Sequence, residues 1–249
     1  MINDIPGITV EYDDSYNPMV ISPNAPYGIT FYMPRETMLD VEVYKNFLDN
    51  AIAGFRHSLV YKTIKSDLIE KGLDHCQVMS NITEEEVGAS GLEMHHNFLT
   101  IFDIALLITE HVLKTVGIIS TFDLMYLLEL EHREHRVPLV MLSESVHQMY
   151  HNNEDLIIPA SMTTGNWLDL LQRYNKGITL RIAEKVSNFI NESINNDSSN
   201  SQVLKELLAV RDYAESWGRY NEYSDNRKSI ISDNSNQYNY NMPYLEQKY

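Results

Sequence analysis

Leu48, Ile52, Phe55 and Leu59 recur at steps of four, three and four residues, the spacing that lines one face of a helix. The pattern predicts a long helix from about Thr37 to Lys71, with Gly72 standing where a helix ends. Upstream, residues 1–34 carry only short extended pieces, Ile8-Thr9-Val10 and Ile29-Thr30-Phe31-Tyr32, broken by Pro18, Pro23, Pro26 and Pro34. Such breaks suit loops or edge strands, because proline cannot donate to a ladder. Downstream, the runs Cys76–Thr83 and Leu92–His96 flank Gly88-Ala-Ser-Gly91. They predict a β-hairpin whose second strand ends in His95 and His96.

Two helical segments follow, opening on Thr100-Ile-Phe-Asp103 and Ser120-Thr-Phe-Asp123. Each Ser/Thr-x-x-Asp is close to a capping box. Val137–Leu142 is a short apolar strand, and Ser143 is a candidate N-cap for a helix carrying His147 and His151. Residues 166–190 read as one amphipathic helix, with Leu170, Leu171, Tyr174, Ile178 and Ile182 on its apolar side. A polar linker spans 195–202, and a last helix covers Val203 to Trp217. The Asn-, Ser- and Tyr-rich end has too few aliphatic residues to offset the entropy of ordering, which predicts a flexible tail or one ordered only by a partner. The chain thus divides into loops, strands and long helix (1–72), a central unit (73–160) interrupted by a helical insertion (98–136), C-terminal helices (161–219) and a tail (220–249).

Composition narrows the setting. The 249 residues include 35 acidic against 19 basic side chains, a net charge of −16. That balance opposes nonspecific binding to nucleic acid, which depends on Lys and Arg neutralising phosphate, and opposes an anionic membrane surface. The single cysteine, Cys76, leaves no intrachain disulfide and fits a reducing compartment. No apolar run approaches the ~20 residues that span a bilayer, and the first residues lack a signal-peptide pattern. The expected location is cytoplasmic.

The candidate chemistry lies in the histidines, seven of nine of which fall between His95 and His151. His147 and His151 are four apart, so on a helix both imidazoles share one face and can hold one metal. His95 and His96 are neighbours on a strand and point to opposite faces. One can join the metal while the other serves elsewhere.

A strand ending in His-His, an apolar strand and a helix with His-x-x-x-His together resemble the ββα-metal core of HNH nucleases. Leu139-Val-Met-Leu-Ser-Glu-Ser-Val-His147 is similar to that family's Leu-Val-x-Leu-Cys-x-x-Cys-His. Leu92-Glu-Met-His-His-Asn-Phe98 further resembles phage HNH-like proteins, often labelled homing endonucleases. The likeness covers about 60 residues. It implies an α+β fold, a mostly helical domain around a small ββα-metal core with a β-hairpin. It implies His95, His147 and His151 as ligands of a divalent ion (Zn, Ni, Mn or Mg), and His96 as general base in a metal-dependent DNA endonuclease. Pro138 stands where the family has a bracing Asn, and His135 is the candidate to replace it. DNA would need basic surface from Arg56, Lys62, Lys65 and Lys71, or from Arg173, Lys176, Arg181 and Lys185. Glu93 is read either as the partner of a ligating histidine or as an exposed carboxylate. Residues 95–151 themselves hold three basic against seven acidic side chains. Two alternatives to catalysis therefore stay open: an inactive HNH-fold phage structural or interaction protein, and a regulator that binds a phage or host protein through the acidic surface.

Overall fold

The structure, a computed structural model, describes residues 9–12, 18–21, 29–30, 32–80, 82–83, 91–152, 158–196 and 201–224. It is α+β: helices dominate, and the strands form small antiparallel sheets. β1 (Thr9–Tyr12), β2 (Pro18–Ile21) and β3 (Ile29–Thr30) form one sheet, and β4 (Tyr32–Pro34) pairs with β6 (Ile118–Ser120). Among the described residues, no helix is long and apolar enough to cross a membrane.

The expected helix over 37–71 is two helices. Asp40 caps α1 (Val41–His57), its carboxylate accepting from the amides of Glu42 and Val43 at 2.9 and 3.2 Å. Ser58 then turns the chain to extended geometry (ψ 153°), and its Oγ accepts from Tyr61 N at 3.1 Å to start α2 (Leu59–Glu70). A serine inside a helical pattern offers the backbone a competing cap, and here the cap wins. Gly72 ends α2 with φ 92°, in the left-handed region that favours glycine.

α3 (Ile101–Thr115) and α4 (Thr121–Arg133) begin where the capping motifs stand, and both boxes form in full. α3, part of the expected insertion, lies at the centre of the core. Residues 104–109 have no exposed surface on any face, the condition of a helix surrounded by protein.

β5 (Leu92–His96) does not pair with 76–83 as the expected hairpin requires; it pairs antiparallel with β7 (Leu139–Ser143), in the register His95↔Val140 and His96↔Leu139. β7 is apolar on both faces and wholly buried, so each of its edges needs a partner. β5 covers one edge. On the other, Gln77 N donates to Met141 O at 2.8 Å, Met141 N donates to Gln77 Oε1 at 2.7 Å, and Leu139 bridges Thr164. Residues 75 and 83 bridge each other instead; most of the expected turn, 84–90, lies outside the described residues. Ser143 leads into α5 (Glu144–Asn152), its Oγ accepting from Val146 N at 3.4 Å.

The single helix expected over 166–190 is also divided, into α6 (Trp167–Arg173), a short 3-10 turn at Asn175–Gly177 and α7 (Leu180–Asn196). The turn presses against α3 so closely that a Cβ on Gly177 would stand 1.8 Å from the Leu107 carbonyl oxygen. α8 (Ser201–Ser224) continues past the expected end at Trp217 and lies along α7. Residues 197–200 of the expected linker and 225–249 of the expected tail lie outside the described residues.

Candidate metal centre

The strand pair and α5 decide where the histidines go. Glu93 and His95 lie on one face of β5, and His96 lies on the other. α5 presents His147 and His151 one turn apart toward the first face. One ligand atom each from His95, His147 and His151 falls within 4.8 Å of the others. His147 Nε2 is 2.9 Å from His95 Nδ1 and 3.0 Å from His151 Nε2. Glu93 is hydrogen-bonded to His147 Nδ1, so His147 donates there and turns Nε2 toward the other two rings. This spacing is the one expected of donors that share a cation, since nitrogens bound to one ion at about 2.0–2.1 Å stand roughly 2.9–3.4 Å apart. Burial first, then repulsion from His147 and His151, holds the His95 pKa down to about 3. Burial, then repulsion from His147, also lowers that of His151. Both rings are therefore neutral at pH 7, the form that binds metal. The His147 hydrogen bond lowers the Glu93 pKa, so Glu93 fills the orienting role carboxylates take beside ligating histidines.

His96 is placed elsewhere. It is buried on the opposite side of β5, its Nε2 2.8 Å from Nε2 of His132 on α4. His132 Nδ1 lies 2.7 Å from the Leu128 carbonyl oxygen and must donate to it, so its Nε2 accepts and His96 Nε2–H donates. Burial, reinforced by the neighbouring His132, keeps His96 well below its usual pKa. Burial likewise brings His132 down to about 4. A base that activates water must reach it; His96 is only 8% exposed, at a core that also holds Phe55, whose ring centroid is 4.6 Å from that of His132. His135 does not join the cluster either. It ends α4 at φ 52°, beside Lys71. His111 packs against Tyr174, with its Nδ1 buried.

Sequence reasoning found the three clustered histidines and missed His132. The alternation of β5 already turns His96 inward, which demands a buried partner, but nothing local identifies a residue 36 positions away. It read Asp103 as a helix cap and missed that this carboxylate is buried and engages Arg181 at 3.2 Å and Lys185 at 2.5 Å. Two of the cations expected to face DNA are thus turned toward a carboxylate, and Arg173 lies 3.7 Å from the buried Glu131.

A family model described as bacteriophage G278-like virion protein matches residues 2–217. The chain belongs to this family. No curated protein and no solved structure matches it. Membership corrects the expectation of an HNH-type DNA endonuclease: the family is one of virion proteins, which points to a structural protein and so to the alternative reading. The bacteriophage association itself stands.

Proposed function

We propose that this chain is a structural component of the phage particle, in which β5, β7 and α5 form a metal-holding module of HNH type with no role in cutting DNA. The observation that carries the reading is the virion-protein family match across residues 2–217. The burial of His96 against His132 supports it, since it leaves the cluster without the base that the nuclease resemblance assigns. His95, His147 and His151 fit a transition-metal ion. Imidazole donors suit zinc, nickel or copper, whereas magnesium prefers oxygen. A bound ion supplies a cross-link between the end of β5 and α5. That link matters because α5 has a single buried residue, Val146.

Two measurements test the reading. Mass spectrometry of purified particles is expected to find the chain in stoichiometric amounts, and its absence from the particle would overturn the structural role. Elemental analysis of the purified protein is expected to find one transition-metal ion per chain, lost in His147→Ala. Full occupancy retained in that variant would remove the cluster as the site.

A further inference from the structure

We infer that the three-histidine centre is completed by Glu144 of a second copy of this chain, so that metal binding drives pairing of copies through α5. The inference rests on the metal-holding reading above.

Three imidazoles supply three donors, whereas a structural ion is closed by four. Among the described residues, the group of donors is His95, His147 and His151. Glu93, on the same strand face, is engaged by Nδ1 of His147. The centre opens outward at His151, which is exposed, while Val146 is buried and Tyr150 packs against His95 and the core.

Charge selects the occupant. A divalent ion held by neutral rings is a patch of +2 on a chain of net charge −16. A basic partner drawn to the rest of the surface would bring Lys and Arg, which carry protons and have no lone pair for a cation. A second copy brings carboxylates. Glu144 is exposed and lies on α5 itself, three residues before His147, on the same face. At 1.5 Å rise per residue it stands about 4.5 Å along the helix axis from that ligand. A two-fold axis midway between them, with the helices antiparallel, brings each carboxylate level with the other copy's His147, one of the ligands. Contacts in such a pairing are reciprocal, so both sites are completed together. Debye screening at physiological salt, about 8 Å, limits repulsion between the two acidic bodies to their contact region.

Sedimentation velocity of the full chain, with one equivalent of zinc or with EDTA, tests the pairing, alongside equilibrium dialysis for bound metal. The wild-type mass is expected to double with zinc and to return with EDTA, at one ion per chain. Glu144→Gln, a change at an exposed position, is expected to bind zinc and remain a monomer. With cobalt as the probe, the visible molar absorptivity of wild type should change as protein concentration rises, and that of Glu144→Gln should not. A wild-type monomer with zinc bound would overturn the pairing and leave the metal reading intact, and doubling that survives in Glu144→Gln would overturn Glu144 as the donor that completes the site. Failure of wild type to bind zinc at all would instead overturn the metal reading, and the pairing with it.

Discussion

His135 occupies a backbone conformation that glycine adopts at least cost. Its amide donates to His132 O at 3.0 Å, and that of Arg136 donates to Glu131 O at 3.0 Å, which is the Schellman closure of α4 with His135 at the left-handed position. The sequence reading gave this residue a bracing role near the metal; its place at a helix end beside Lys71 shows no such contact. Histidine is tolerated at positive φ, and glycine is favoured there. His135→Gly is therefore expected to raise stability by about 0.5–1 kcal/mol, read as a higher urea midpoint with zinc affinity unchanged. A lower midpoint would mean that the Lys71 contact outweighs the backbone term. Gly177 is the opposite case, since a Cβ there meets the Leu107 carbonyl oxygen at 1.8 Å. Gly177→Ala must push the turn off α3 and is expected to cost roughly 1–3 kcal/mol or more, in the range of overpacked cores. Neither effect is legible in the sequence, because φ at His135 and the approach at Gly177 are set by how elements meet.

Helix starts were the most legible elements, because their cause is local. Thr100 with Asp103, and Ser120 with Asp123, can be read as caps without knowing what surrounds them, and both boxes form. Pairing of strands was less legible. Proximity in sequence favoured a hairpin, whereas β7 recruits β5 from 40 residues upstream because its two apolar faces must be buried and both edges hydrogen-bonded. The two boxes also give a matched comparison of local and tertiary energy. Asp123 accepts from Ser120 N and Oγ at 3.1 and 2.7 Å, and Asp103 accepts from Thr100 N and Oγ1 at 2.9 and 2.6 Å. Only Asp103 is fully buried and also engages Arg181 and Lys185 on α7. Burial pushes its carboxyl pKa up, but Lys185, Thr100 and Arg181 outweigh that and bring it below the ordinary value. Asp123→Ala is expected to cost about 1 kcal/mol, the scale of a lost cap. Asp103→Ala is expected to cost about 3 kcal/mol, the scale of breaking a buried ion pair. Equal losses in denaturant titrations would mean that the α3–α7 ion pairs add nothing.

At the scale of the whole molecule, a resemblance over about 60 residues indicated chemistry, while a family match over 2–217 concerns the chain as a whole. The local likeness drew attention to the histidines and is silent on whether the base is accessible. His96 shows why: the strand turns it into a core formed by α1 and α4, elements outside or inserted into the resembling stretch. That core has a consequence for acid stability. The unfolded chain binds a proton on each histidine near pH 6.5, whereas burial holds His132 neutral down to about 4. The unfolded state therefore takes up protons first as pH falls, and the native state loses relative stability. For His132, stability is at its full value above about pH 6.5, declines through the window down to about 4, and levels off below it. The slope for one such group reaches at most about 1.4 kcal/mol per pH unit. His96, buried beside it, adds in the same direction. Urea midpoints from pH 7.5 to 4.5, taken in EDTA so that metal release adds nothing, are expected to fall with this sign. His132→Leu should start from a lower midpoint, because His96 loses its acceptor, and should show a shallower slope. A wild-type midpoint that stays flat across the window would mean that both rings already take up protons in the native state, and the closed core around His96 would then be wrong.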